Sequence, residues 1–264
     1  MIRINPTNNY NPNFKEYKHE VLNKSGMLIY RGDTCLFRKD LELDKLIRFL
    51  ELKYQNIPKV NIVAHACSDG EEAYSFISKL LDTLGVKQSL KYLPISAHDI
   101  DIEHLEQARR GKYKIKQYET IELISNFGNR FNNYFDLLGE GLSNKILSVK
   151  DVLKQHVTFK ESNIVDDARE MLFKHSVLFA RNVWPYLGEE GADKLAMYLS
   201  QNMDSTSTLV IGDFDKMYNI DFLLHSYGFK ESYLVDNVFE KQDKKPVKQV
   251  SNLQKFFKKI GLIN

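Results

Sequence analysis

The sequence predicts an α/β fold, a mostly parallel sheet with helices on both faces. Three observations carry that prediction. Short apolar runs alternate with amphipathic stretches of about 10–15 residues through much of the 264-residue chain, the rhythm of parallel strands joined by helical crossovers. One apolar run ends at His65 and passes through the polar turn "HACSDGEEAYS" straight into a helical pattern. A second run ends in "ISAHDID" and does the same.

Residues 1 to about 24 are polar, asparagine-rich and aromatic, and read as an irregular arm. "LELDKLIRFLELKYQ" predicts a helix, because Leu43, Leu46, Ile47 and Leu50 recur at helical spacing and Pro58 stops the pattern. "KVNIVAHA" is a strand, and "GEEAYSFISKLLDTLG" a helix capped by Gly85. "LKYLPISAHD" is the next strand and "DIEHLEQARRGKY" its helix. "HSVLFARN", "EEGADKLAMYLSQNM" and "STSTLVIGDF" continue as strand, helix and strand.

Two regions break the rhythm. Residues 113 to 158 are charged and aromatic, with helical and strand-like pieces, and read as an insertion. "GFKESYLVDNVFEK" reads as an antiparallel hairpin at the sheet edge. Three units result: an arm over 1–40, a main domain over 41–240, and a basic tail over 241–264.

Hydrophobic residues make up 43% and charged residues 27%, ordinary for a globular chain. The net charge of +2 is unevenly spread. The last 24 residues hold seven lysines and one aspartate, leaving about −4 on the rest. In the tail Leu253, Phe256, Phe257 and Ile260 share a helical face. That face predicts packing on the body, docking on a partner helix, or contact with an anionic surface. Nucleic acid is not expected, since the lysines come without recognition motifs. Cys35 and Cys67 form neither a metal-spaced pair nor a disulfide framework. No apolar run is long enough to span a membrane, and no secretory signal core is present. The expectation is a cytoplasmic monomer.

In open α/β sheets, ligands sit beyond the carboxyl ends of the strands. A dinucleotide loop there needs several glycines, but this turn offers Cys67, Ser68, Asp69, Gly70, Glu71 and Glu72. Three carboxylates repel a pyrophosphate. They suit a ligand with an ammonium, a ribose and a positive sulfonium, namely S-adenosylmethionine. Asp99 ends the second strand where ribose hydroxyls need an acceptor, with Asp101 as fallback, unless either merely caps the next helix. His65 and His98 flank this position without metal-like spacing and read as structural; no metal site is expected.

"ACSDGEEAYS", "HDIDIEHLEQARRGKY" and "FARNVWPYL" resemble the signature segments of the CheR-type chemotaxis receptor methyltransferases. That family shows A-C-S-T-G-E-E-P-Y-S, then T-D-I-D…L…A-R-x-G-x-Y, then C-R-N-V-x-I-Y-F, in the same order. The resemblance implies a Rossmann-like class I S-adenosylmethionine methyltransferase with an inserted small subdomain. It places Ala66, Ser68, Glu71 and Glu72 around the methionine moiety, Asp99 on the ribose, and Asn163 and Ile164 beside adenine. Arg181 and Asn182 join them after the fourth strand. "TCLFRK" resembles the family's T-x-F-F-R element, which makes Arg38 its functional arginine, and Tyr186 matches the tyrosine of I-Y-F.

Asp69 stands where the family has threonine, Ala73 where it has proline, and "GDFD" where it has G-x-S-E. Only 37 residues precede Arg38, fewer than the family's N-terminal helical module. The expected activity is methyl transfer to a glutamate carboxylate of a protein, a chemoreceptor-like helical one. The alternatives are another protein or small-molecule acceptor, or a cofactor-binding module without catalysis.

Overall fold

The computed structural model describes residues 20–22, 28–30, 36–115, 117–139 and 145–242. Cys35, most of the N-terminal arm and the tail beyond residue 242 lie outside them. In chain order the first elements are β1 (Glu20–Leu22), β2 (Leu28–Tyr30), α1 (Leu43–Lys53), β3 (Asn61–His65), α2 (Glu71–Ser89), β4 (Ile95–Asp99) and α3 (Ile102–Arg110). Next come β5 (Lys112–Ile115), α4 (Gln117–Phe127), β6 (Phe135–Leu138), β7 (Lys145–Val149), α5 (Asp151–Lys154), β8 (Val157–Glu161) and α6 (Ile164–Glu170). The chain continues with β9 (Ser176–Ala180), α7 (Gly188–Asn202), β10 (Thr208–Val210), α8 (Asp213–Lys216), α9 (Ile220–Ser226), β11 (Phe229–Glu231) and β12 (Val238–Lys241).

Seven strands form the main sheet in the order β11-β12-β10-β9-β3-β4-β8. β10, β9, β3, β4 and β8 run parallel, and β12 enters antiparallel between β10 and β11. The direction of winding reverses between β3 and β9, which makes their carboxyl ends the switch point of the sheet.

β3 explains why the sheet needs helices on both sides. Residues 62 to 65 are all buried, and alternate side chains of a strand point to opposite faces. Ile62 and Ala64 pack into a core with Leu46, Ile47 and Leu50 of α1 and Phe76, Ile77 and Leu80 of α2. Val63 faces a second core with Ile164 and Ala168 of α6 and Leu195, Ala196 and Leu199 of α7.

Gly85 ends the first segment of α2 as its sequence implies: at φ 74°, ψ 165° it breaks the helix before a last turn to Ser89. Gly111 closes α3 at φ 59°, donating to Gln107 O.

The inserted region forms a three-stranded antiparallel sheet, β5-β7-β6, with α4 before β6. It is shorter than the sequence reading allows. β8 pairs with β4 from Ile95↔Val157 to Asp99↔Glu161 and belongs to the main sheet. "VTFKE" escaped that reading because it is a half-exposed edge strand with charged residues at its end. The arm likewise differs at its far end, where β1 pairs with β2. No helix among the described residues is long and apolar enough to cross a membrane.

Candidate functional site

The turn after β3 is built from unusual backbone. Ala66 and Ser68 have φ of 52° and 49°, and Gly70 has φ of 85°. Gly70 is required twice over: its left-handed φ favours glycine, and a Cβ would come within 2.9 Å of the Ala108 Cβ. Asp99, at the end of β4, holds the turn by accepting from Ser68 N at 2.8 Å, while its other oxygen accepts from Asp101 N at 2.9 Å. Burial pushes the Asp99 pKa up, and these two donors hold it back. Each oxygen keeps a further acceptor site. Asp101, the fallback, is committed as the N-cap of α3 through Glu103 N.

Asn163 sits beside this corner. It follows Ser162, whose N–H donates to Asp99 O at 2.9 Å, and its side chain caps α6 by accepting from Val165 N at 2.8 Å. Ile164 is buried next to it. The structure therefore brings Ser68, Asp99, Asn163 and Ile164 to the ends of three neighbouring strands.

A second group gathers at the switch point. Arg181, directly after β9, is buried and donates to Glu72 at the start of α2 and to Asp40 Oδ1 at 2.6 Å. Arg38 Nε lies 3.8 Å from the same Asp40 oxygen. Arg38, Asp40, Arg181 and Glu72 thus form one chain of alternating charge, and Phe37, Arg38, Glu72, Ser75 and Arg181 line a shared cavity. Burial works against the charge of Arg181, but the two carboxylates outweigh it and raise its pKa. Glu71 is buried in the first turn of α2, where its carbonyl accepts from Ser75 Oγ. Asp40 has no counterpart among the predicted residues, although it lies only two positions beyond Arg38.

Asn182 follows with φ of 55°. Its N–H donates to Asp215 Oδ2 at 2.7 Å, Gly212 N donates to the same oxygen at 2.8 Å, and Trp184 N to Oδ1 at 3.3 Å. The last letter of "GDFD" is therefore a buried clamp on the loop after β9. Burial pushes the Asp215 pKa up to about 7, against those three donors. Gly212 must lack a side chain, since a Cβ there would collide with Asn182 Oδ1. Tyr186 lies one turn further on, in the turn Trp184–Leu187, with its ring 6.0 Å from that of Phe214.

The inserted sheet is fastened to this site. Tyr113 of β5 donates its hydroxyl to Asp69 O at 2.6 Å. Phe37, beside Arg38, packs edge-on against Phe127 at 5.3 Å and Phe135 at 6.4 Å, and its N–H donates to Ser75 Oγ.

A family model described as CheR methyltransferase, SAM binding domain, matches residues 32–229. A chemotaxis protein methyltransferase of Borreliella burgdorferi is 27% identical over 214 residues, 76% of this chain and 72% of that one. Its namesake in Campylobacter jejuni is 25% identical over 227 residues, 85% and 76% of the two chains. One from Salmonella typhimurium is 31% identical over 121 residues, which span 46% of this chain and 39% of that protein.

Proposed function

The chain belongs to the CheR methyltransferase family, and on that premise we propose that it moves a methyl group from S-adenosylmethionine to a glutamate carboxylate of a protein. The acceptor class is a chemoreceptor-like helical protein, met in the cytoplasm. The observation that carries this reading is the charge chain Arg38–Asp40–Arg181–Glu72, which joins the expected acceptor side of the site to the expected cofactor side.

The residues present fit the cofactor. The turn from Cys67 to Glu72 contains a single glycine and three carboxylates, of which Glu72 is answered by Arg181 and Asp69 by His104, and this composition disfavours phosphate. Two buried atoms at the switch point, Arg181 Nε and Asn182 Oδ1, have no hydrogen-bond partner within the described residues. Ser68 and the start of α2 would hold the amino-acid end, Asp99 the ribose, and Asn163 with Ile164 the adenine. When bound, the cofactor supplies an electrophilic methyl on a sulfonium.

This chain's own residues need move no proton. A glutamate acceptor, with a reference pKa of about 4.3, is already ionised at neutral pH. Arg38 orients that carboxylate by charge-assisted hydrogen bonds, and Tyr186 offers an aromatic face toward positive charge. Asp40 and Arg181 fix Arg38 relative to Glu72. Catalysis then rests on alignment and exclusion of water.

Incubation with labelled S-adenosylmethionine and a lysate containing chemoreceptors tests the reading. The expected result is label on protein that is released by mild base, as a methyl ester is. Base-stable label would exclude a carboxylate acceptor, and no cofactor binding by calorimetry would exclude the enzyme.

A further inference from the structure

His65, His98 and Asp167 come from β3, β4 and α6, and all three are buried. One ligand-type atom from each lies within 4.8 Å of the other two, the one such buried trio among the described residues. The two histidines are register partners on adjacent parallel strands, with ring centroids 4.9 Å apart and planes at 90°. By strand alternation His65 shares the Val63 face, so both rings point under α6.

The hydrogen bonds around the trio point inward. Ser96 Oγ lies 2.6 Å from His98 Nε2, so the ring proton that Nδ1 shares with Asp167 can move to Nε2 and leave Nδ1 able to ligate. Ser162 Oγ donates to Asp167 Oδ1 at 2.5 Å, which leaves Oδ2 facing the rings. Oδ2 stands 2.6 Å from His98 Nδ1 and 3.5 Å from His65 Nε2. His65 Nε2 is buried and has no hydrogen-bond partner. An unmet polar atom is costly in a protein interior, so the position calls for a ligand.

We propose that His65 Nε2, His98 Nδ1 and Asp167 Oδ2 bind one divalent transition metal ion of the zinc type, with water as the fourth ligand. The chemistry matches a site of two imidazoles and a carboxylate. Ser96 and Ser162 are the outer partners that fix one ring and the carboxylate. Tetrahedral zinc sets its ligand atoms about 3.3 Å apart. The His65–Asp167 spacing already meets this, and the His98–Asp167 contact opens by about 0.7 Å, replacing a hydrogen bond with two bonds to the ion. The Asp167 side chain is 11% exposed, which gives the water its route. The ion ties two central strands to α6, the helix that opens with Asn163 and Ile164. Separations of 33 and 69 residues hide this trio in the sequence.

The test counts metal and needs neither cofactor nor acceptor, so it stands or falls apart from methyl transfer. The full chain, stripped with chelator, is loaded with Zn2+ or Co2+, desalted and analysed by elemental mass spectrometry. Wild type should retain about one equivalent, His65→Gln and Asp167→Asn should bind at least about tenfold more weakly, and Ser96→Ala should weaken binding as outer partners do. His104→Gln, outside the trio, should bind as wild type does. Cobalt should give the visible bands of a four-coordinate nitrogen–oxygen site, absent in His65→Gln. Wild type holding less than about a tenth of an equivalent of either metal overturns the proposal. So does unchanged binding in His65→Gln and Asp167→Asn, each shown folded by circular dichroism. Should neither fold, unchanged binding in Ser96→Ala decides against it.

Discussion

Asp69 and His104 meet across the turn that follows β3, with Oδ1 of the aspartate 2.6 Å from Nδ1 of the histidine. The residue that stands in place of the family's threonine is therefore turned toward α3 and answered there by a base. Ser68 Oγ lies 3.4 Å from the same ring nitrogen, and Asp101 Oδ2 lies 3.8 Å from Nε2.

That pairing makes stability depend on pH. The bond to Asp69 raises the His104 pKa above the ordinary histidine value, against a smaller opposing effect of burial. A folded-state pKa above the unfolded one adds stability below the unfolded value, and that stability is lost as pH rises through the folded value. Wild type should lose more of its urea midpoint between pH 5.5 and pH 8.5 than His104→Gln or Asp69→Thr. Parallel curves for all three proteins would remove the pair from the account.

Asp215→Ala strips three backbone donors of their acceptor at once. Leaving buried N–H groups unmet should cost at least about 2 kcal/mol. Chemical denaturation measures it, and a change below about 0.5 kcal/mol, typical of a neutral surface substitution, would show that water replaces the carboxylate.

Arg38→Ala should lower methyl transfer at least about tenfold, as loss of one oriented donor does, while cofactor affinity changes little. Single-turnover rates beside calorimetry separate the two quantities. Equal losses in both would assign Arg38 to cofactor binding.

Asp99→Ala should weaken S-adenosylmethionine binding by about 10- to 100-fold, the worth of hydrogen bonds to a charged acceptor. It also frees Ser68 N, so Asp99→Asn is the companion variant: its amide oxygen can still accept from Ser68. If both variants bind as wild type does, the ribose lies elsewhere.

Much of this architecture is legible in the sequence because burial is written there as periodicity. The helix with Leu43, Leu46, Ile47 and Leu50, the apolar β3 and β9, and the capped α3 appear where their patterns place them. β8 and the inserted sheet are not legible in the same way, since short strands with alternate exposure, such as β5, carry too little apolar signal. Motif segments locate Ser68, Asp99 and Arg181, but their partners come from far along the chain. Asp40 is 141 residues from Arg181, and His104 is 35 from Asp69. Such pairings are decided by the packing of whole elements, which no local pattern encodes.

The hydroxyl of Tyr113 rests on the carbonyl of Asp69 at 2.6 Å. Because an O–H···O hydrogen bond weakens beyond about 3.0 Å, the inserted sheet can tilt away by only about 0.4 Å before that pin is drawn. A load on the inserted sheet thus bears on the same peptide that turns β3 into α2. Strain on that sheet therefore reaches the acidic turn through the Tyr113 hydroxyl.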